Sequence, residues 1–418
     1  MELSPPRGTG DLLPPRSNTL RTLAGTAHRL AAVYGFRYVE TPAFERTELF
    51  ARTSGESSDV VRKEMYTFED RKGRSLTLRP EGTAPVVRAV LAAGQELPTP
   101  FKGYYVEHMW RYGRPQTGRL REFRQFGVET IGTDAPEADV EVIALGERYL
   151  RAAGVESFSL ELNSIGDETC RPGYREELIS YLEGHVAELT DEHRERFRDN
   201  PLRVLDCKDP ACRAVSRDAP KIVDRLCDAC RAHFDAVVAG LEEEGLKANL
   251  VPTLVRGLDY YTRTTFEYVS DELPEGQASL GGGGRYDGLA EALGGPPTPG
   301  VGFALGLERI ELALGDRGTE ASALDVFVVA VGDDPATGSA ARLLVRTLRD
   351  AGISADAALG ARAIKGQLRA ADRTGAAYAA ILGMRELAEG SVTMRDLSSG
   401  TQEPVRIEDV LTWISRRR

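Results

Sequence analysis

Five arginines fall within fourteen residues of one stretch, Arg111, Arg114, Arg119, Arg121 and Arg124, against a single acid, Glu122. Guanidinium groups suit phosphates and carboxylates because their planar forks meet such anions with paired hydrogen bonds. The surrounding residues, "FKGYYVEHMWRY", "RPQTGR" and "LREFRQFGVETI" between 101 and 131, read as two strands about a polar loop, an antiparallel hairpin. Side chains two apart share a strand face, so Arg121, Phe123 and Gln125 are expected to line one wall. An arginine beside an aromatic suits a nucleotide, phosphate on one and base stacked on the other. The plainer reading is a solvated basic hairpin, and the scarcity of counter-charges favours the anion site.

A second stretch, "LVRGLDYYTRTTFEYV" (254–269), has the composition of a strand but carries Arg256, Asp259 and the pair Tyr260–Tyr261. An unpaired charge inside a protein is costly, so Arg256 needs an anionic partner. In "LRPEGTAP" (78–85), Glu81 precedes a helix start expected at Thr83 to Pro85, where an acid would ordinarily be a simple cap. Two glycine-rich strings, "GGGGRYDGL" (281–289) and "GVGFALGLERI" (300–310), allow close backbone approach to a ligand but have neither Walker nor dinucleotide-fold spacing. For the first, a flexible linker is the alternative. The second puts Arg309 on a helix-like run, where burial would again demand an anion.

Cys207, Cys212, Cys227 and Cys230 form a C-x4-C…C-x2-C pattern. In a reducing compartment paired cysteines point to structural zinc before disulfides. The spacing departs from common zinc ribbons, which weighs toward surface thiols in a helical insertion. Five histidines without metal-binding spacing disfavour a zinc hydrolase, and no G-x-S-x-G elbow is present.

The elements that must position these residues are legible in outline. Residues 19–34 place Leu20, Leu23, Ala27, Leu30 and Tyr34 at helical spacing, leading through "GFRYVETP" into a short strand. Strand-rich character fills 1–167 and returns at 246–322, interrupted over 168–245 by charged helices that read as an insertion. Beyond 323, "DVFVVAVG", "ARLLVRTLRDAG", "AAYAAILG" and "SVTMRDL" alternate strand and helix, predicting a small α/β domain with a largely parallel sheet. A length of 418 residues asks for two or three domains. With 41% hydrophobic and 28% charged residues, no bilayer-spanning run and no secretory head, the expectation is a globular cytoplasmic protein. Net charge is −11, yet residues 325–418 hold 13 Lys and Arg against 12 Asp and Glu, so the remainder carries −12. Local basic patches can still grip a polyanion, because charges are screened beyond about 10 Å.

The order of these segments resembles the class II aminoacyl-tRNA synthetases, and particular strings resemble the histidyl-tRNA synthetase family over nearly the whole chain. "YGFRYVETPAFE" is similar to the first class motif, at the family's dimer interface. "MWRYGRPQTGRLREFRQFGVE" resembles the second motif and "GVGFALGLERI" the third, while "RGLDYYTRTTFEY" and "GGGGRYDGL" look like the two histidine-specific signatures. The resemblance implies an α/β protein: an α+β catalytic domain with an antiparallel sheet and flanking helices (1–167 and 246–322), a helical insertion (168–245) and a C-terminal α/β anticodon-binding domain (323–418). It implies a homodimer that joins L-histidine to tRNA(His) using ATP with Mg2+, with no membrane partner. Arg111 would hold the α-phosphate and the amino-acid carboxylate, Arg309 the γ-phosphate, and Phe123 would stack on adenine with Arg121 nearby. Glu81, Gly82 and Thr83 would take the α-ammonium group. Gln125 and Glu129 would lie along the pocket floor, with Glu129 reading an imidazole nitrogen. Tyr260 and Tyr261 would complete the imidazole pocket, and Arg256 would reach the α-phosphate. One departure stands out: Gly113 occupies a position where class II enzymes usually carry a glutamate on the adenine side. The competing reading is the synthetase-like regulatory subunit of ATP phosphoribosyltransferase, which would lack the last domain and the intact histidine signatures.

Overall fold

Helix α1 (Arg16–Val33) forms because Leu20, Leu23, Ala27 and Ala31 recur at three- and four-residue spacing and bury one stripe. The computed structural model describes residues 3–54, 63–115, 118–207, 209–318, 324–359 and 363–417. Residues 116–117 of the hairpin loop and the boundary expected at 322/323 therefore lie outside the described residues. Strand β1 (Arg37–Tyr38) follows, then β2 (Phe44–Arg46) and helix α2 (Thr47–Ser54). Strands β3 (Tyr66–Glu69) and β4 (Ser75–Leu78) join β2 in a small antiparallel sheet ordered β2-β4-β3. Helix α3 (Thr83–Ala93) starts at Thr83, as the sequence predicts.

The hairpin of β5 (Phe101–Trp110) and β6 (Glu122–Ile131) pairs antiparallel from Phe101 opposite Ile131 to Trp110 opposite Glu122. Helix α4 (Pro136–Ala152) leads to β7 (Phe158–Ser164). Five helices come next: α5 (Arg171–Glu183), α6 (Asp191–Arg196), α7 (Leu202–Leu205), α8 (Pro210–Asp218) and α9 (Asp228–Glu243). The first four surround their own core of Tyr174, Leu178, Leu182, Phe197, Val204 and Val215. Helix α9 instead delivers Phe234, Val237 and Leu241 to the main core, so it ties the helical segment back to the sheet.

Strands β8 (Ala248–Leu250), β9 (Thr262–Ser270) and β10 (Ser279–Arg285), helix α10 (Leu289–Ala292), strand β11 (Gly300–Gly306) and helix α11 (Leu307–Leu314) complete this unit. The large sheet runs β1-β5-β6-β11-β10-β9-β7-β8, antiparallel inside and parallel only at its edge pairs β1·β5 and β7·β8. Two expectations change here. The stretch 254–261 is not strand: β9 begins at Thr262, after a turn through Gly257, and Arg256 and Tyr260 sit on the preceding loop. The run "GGGG" is not a linker but the centre of β10. A Cβ on Gly283 would stand 1.9 Å from the Gly302 carbonyl oxygen, so only glycine lets β10 lie this close to β11.

The chain folds as two units, Met1–Gly318 and Thr319–Arg418. The second contains β12 (Val326–Ala330), α12 (Pro335–Asp350), β13 (Ala355–Ala357), α13 (Ile364–Arg373), β14 (Tyr378–Leu382), α14 (Met384–Ala388), β15 (Ser391–Asp396), β16 (Gln402–Arg406) and α15 (Val410–Ser415). Its sheet runs β13-β12-β14-β15-β16. The first three strands are parallel, but β15 and β16 are antiparallel, which makes the sheet mixed rather than largely parallel. The short turn after Asp396, with Gly400 at φ 73°, folds β16 straight back on β15.

Candidate active site

Strand β6 sets the first wall. Phe123 and Gln125 lie two apart on it and both border a cavity of about 310 Å³ in the first unit. Arg111, one residue beyond β5, borders the same cavity. Its Nε donates to the Pro80 carbonyl at 2.8 Å and its guanidinium lies 5.3 Å from the Phe123 ring centroid. Burial pushes the Arg111 guanidinium down from its ordinary value, opposed by Glu64 and Glu81. Among the described residues Arg111 forms no ion pair, and neither does Arg309 from α11. Arg309 is held by two backbone carbonyls, Gly118 and Gln277, each at 2.5 Å. Two part-buried cations without a carboxylate are stable only beside an anion or water.

The N-terminus of α3 builds the second wall. The Glu81 carboxylate accepts from the Thr83 and Ala84 amides at 2.7 and 3.0 Å, so it does cap the helix while facing the cavity. Burial raises its pKa against the pull of those amides. Gly82 is not on the cavity wall; a Cβ there would meet the Tyr105 ring at 2.3 Å, so it lets α3 begin against β5. Thr83 borders the cavity and donates to Glu129 Oε1 at 2.8 Å. Glu129 itself is fully buried behind that wall, not along the floor. The Tyr286 and Tyr105 hydroxyls reach its carboxylate at 2.5 and 3.4 Å and, with Thr83, close it off. Burial pushes the Glu129 carboxyl up to about 8.

The loop before β9 supplies the third wall. Arg256, Tyr260 and Tyr261 all border the cavity, with the two tyrosine rings 4.7 Å apart. Arg256 has a protein partner that its sequence context does not single out: its Nη1 donates to Glu267 Oε1 on β9 at 3.0 Å. Burial alone would lower the Arg256 pKa, but Glu267 together with Tyr261 and Asp206 more than offsets it. The Arg256 Nε and the Gln125 Oε1 are buried without a hydrogen-bond partner among the described residues, and both belong to side chains on the cavity. Asp259 points away, accepting from Asn200 of the helical segment at 3.3 Å.

Arg121, like Gly82 and Glu129, does not border the cavity. Strand β6 starts only at Glu122, and Arg121 turns back over Tyr112, 4.0 Å from its ring centroid, with its Nε on the Gly113 carbonyl at 3.2 Å. Gly113 borders the cavity, and Glu64 comes from another segment to lie beside it, paired with Arg119. Glu64 Oε1 stands 3.2 Å from where a Gly113 Cβ would be. Neither Glu64 nor Glu267 carried a signal in sequence, because each matters only through a neighbour far along the chain.

The four cysteines of the C-x4-C…C-x2-C pattern, for which a shared zinc ion is the less favoured reading, do not come together as one group. Cys207 and Cys212 gather with His193, whereas Cys227 and Cys230 gather with Cys170 and Asp167. Cys212 lies on α8 and is packed into the core of the helical segment, whereas Cys227 and Cys230 lie at the start of α9. Burial pushes the Cys207 thiol up to about 11. All five cysteines are free thiols. Among the described residues no helix is long and apolar enough to cross a membrane.

The family model described as histidyl-tRNA synthetase matches residues 8–167 and 185–310, and that described as anticodon binding domain matches 325–417. A histidine–tRNA ligase of Halothermothrix orenii is 46% identical over 417 residues, 98% of each chain. One from Rhodococcus opacus is 48% identical over 98% of this chain and 97% of its own. Among solved structures, that of S. aureus histidyl-tRNA synthetase superposes with a TM-score of 0.79 at 36% identity, covering 99% of this chain and 100% of that one. A Bacillus halodurans structure described as an ATP phosphoribosyltransferase regulatory subunit/histidyl-tRNA synthetase has a TM-score of 0.64 at 23% identity, covering 88% and 96%, which is likeness of fold alone. With four arginines, a helix-capping glutamate and paired tyrosines about one cavity, and full-length relatives of one kind, the chain belongs to the histidyl-tRNA synthetase family.

Proposed function

We propose that this cavity activates L-histidine with ATP and passes it to the 3′ end of tRNA(His), making the chain a histidine–tRNA ligase. The observation that carries the reading is the convergence of Arg111 and Arg309, neither paired with a carboxylate among the described residues, on the cavity that also holds Glu81 and Tyr260. In the first step the histidine carboxylate attacks the α-phosphorus and pyrophosphate leaves. Two anions must be brought together, so fixed cations lower the barrier by positioning and charge. Arg111 would bridge the carboxylate and α-phosphate, Arg256 would support the α-phosphate from its seat on Glu267, and Arg309 would hold the γ-phosphate. Phe123 would stack on adenine. Glu81, with Thr83, would take the α-ammonium, and Gln125, Tyr260 and Tyr261 would face the imidazole. Glu129 would act through Thr83 and Tyr286, which it holds, rather than by touching substrate. In the second step a ribose hydroxyl of the tRNA attacks the histidyl carbonyl and AMP leaves.

Mg2+ would arrive with the ATP phosphates. The cavity's carboxylates, Glu81 and Glu308, are each committed to N–H donors, Glu308 to the Arg124 amide at 2.8 Å, so they offer no ready chelating pair and the arginines carry the chemistry. On this reading residues 1–167 and 246–322 form the catalytic domain, 168–245 an insertion and 323–418 the tRNA-reading domain of a cytoplasmic homodimer. ATP–pyrophosphate exchange against all twenty amino acids tests it. Exchange with histidine alone is expected; no exchange would favour a regulatory subunit, and exchange with another amino acid a different specificity. Arg111→Ala should lower histidine-dependent exchange by about 10²–10³-fold. Arg256→Ala should lower exchange far more than tRNA binding, and equal losses in both would remove Arg256 from the α-phosphate.

A further inference from the structure

The cluster of Asp167, Cys170, Cys227 and Cys230 is not used by the chemistry above, and it is built like a metal site. Their ligand atoms all lie within 4.8 Å of one another. A tetrahedral zinc ion with Zn–S bonds of about 2.3 Å requires edges of roughly 3.8 Å, so the four groups need to draw in by at most about an ångström. Cys170 Sγ and Cys227 Sγ already stand 3.6 and 3.9 Å from Asp167 Oδ1. The spacing is that of two knuckles, D-x2-C from the loop after β7 and C-x2-C at the start of α9. Within the first knuckle the Asp167 amide donates to Cys170 Sγ at 3.4 Å. Gly166, at φ 65°, makes room for that sulfur: a Cβ there would stand 2.6 Å from it.

The surroundings match the charge of such a site. Three thiolates and a carboxylate around a divalent ion leave two negative charges. Arg263 Nη2 lies 3.5 Å from Asp167 Oδ2, and Arg171 lies within electrostatic reach of Cys170, Asp167 and Cys230. We propose that Asp167, Cys170, Cys227 and Cys230 bind one structural zinc ion. Thiolate-rich donors select zinc over magnesium or calcium, and four protein ligands leave no position open for catalysis. The ion would pin the loop after β7 to α9 and hence to the wall of the cavity. At the end of that loop Arg171, the first residue of α5, donates to the Tyr261 carbonyl at 2.8 Å, and the Gly166 carbonyl accepts the Arg263 amide at 2.7 Å. Arg263, the one described non-glycine residue at positive φ, 51°, sits at that junction. The proposal goes beyond the catalytic reading, and its readout does not depend on adenylation.

The test is metal content of the full-length chain, purified reduced and without chelator, by plasma mass spectrometry. About one zinc per chain is expected. Cys170→Ser, Cys227→Ser and Cys230→Ser should each lose at least roughly tenfold of it. Cys207→Ser, Cys212→Ser and His193→Ala should keep it. Because a cysteine variant could misfold, the unmodified chain is also stripped of metal, reduced and titrated with Co2+. A thiolate-to-cobalt charge-transfer band that saturates at about one equivalent and is abolished by added Zn2+ is expected. The proposal is overturned by less than roughly a tenth of an equivalent of zinc together with no cobalt–thiolate band. It is overturned equally by zinc that stays in Cys227→Ser and leaves in Cys207→Ser, which would move the site to the His193 group.

Discussion

Glu129 shows how a single residue can serve a site without touching it. Its carboxyl is fully buried, and burial lifts its pKa from 4.5 to about 8 despite the hydroxyls of Tyr286, Thr83 and Tyr105. The folded state therefore holds a proton that the unfolded chain releases near 4.5. The stability this contributes is complete below that value and is lost as pH rises toward 8. Glu129→Gln, which keeps shape and stays neutral, should remove that dependence. The melting temperature of the natural chain minus that of the variant should fall steadily from pH 4.5 to 8; a flat difference would place an ordinary carboxyl there. Arg309 answers at the same scale but in kinetics. It is fixed by two carbonyls and paired with no acid among the described residues, so on the proposed reading its charge would serve ATP. Losing a charge-assisted contact costs about 1.5–3 kcal/mol, so Arg309→Ala should raise the KM for ATP by roughly 10–100-fold. The KM for histidine should stay within about twofold, and a matching rise in both would mean that the variant distorts the cavity as a whole.

Strand β10 is the element on which the cavity depends. Gly281 and Gly282 border it, and a Cβ on Gly282 would stand 2.2 Å from the Phe266 carbonyl oxygen. Gly283→Ala, driving a methyl into the Gly302 carbonyl, should destabilise the chain by roughly 3 kcal/mol or more. Gly288→Ala, with nothing within 4 Å, should leave the urea midpoint in place. Similar midpoints for both would show that β10 can move away from β11. The same element marks what sequence could reveal. Phe123 and Gln125 were legible because alternation along β6 is local, and Thr83 because helix starts have local signals. The purpose of four glycines was not, since it resides in the carbonyls of β9 and β11 on either side. Arg121 shared the predicted alternation but fell one residue outside the strand. Cys170 and Cys230 lie sixty residues apart in sequence, and only the return of α9 to the main core brings them together.

At the scale of the whole molecule, charge and architecture divide along the same line. The first unit carries all of the net negative charge, −11, and the second, from Thr319, is neutral, with 13 Lys and Arg against 13 Asp and Glu. Each has its own core: Val142, Tyr149, Phe266 and Leu305 belong to the first, and Val328, Leu344, Leu348 and Val392 to the second. Every residue placed about the cavity belongs to the first unit. Amino-acid activation should therefore survive loss of the second unit, whereas charging, which on the proposed reading would gain effective concentration from two linked contacts with one tRNA, should not. A chain ending at Gly318 is expected to keep histidine-dependent pyrophosphate exchange within about tenfold of the full chain, and to lose about 10²-fold or more in kcat/KM for tRNA charging. Both assays belong on one preparation whose circular dichroism shows a folded chain. Equal losses in the two would mean that the second unit supports activation itself, and undiminished charging would take tRNA recognition away from it. Raising the salt concentration separates the contributions further: the full chain should lose tRNA affinity steeply with ionic strength, because phosphate contacts release counterions, while exchange, confined to a small part-buried cavity, should change little.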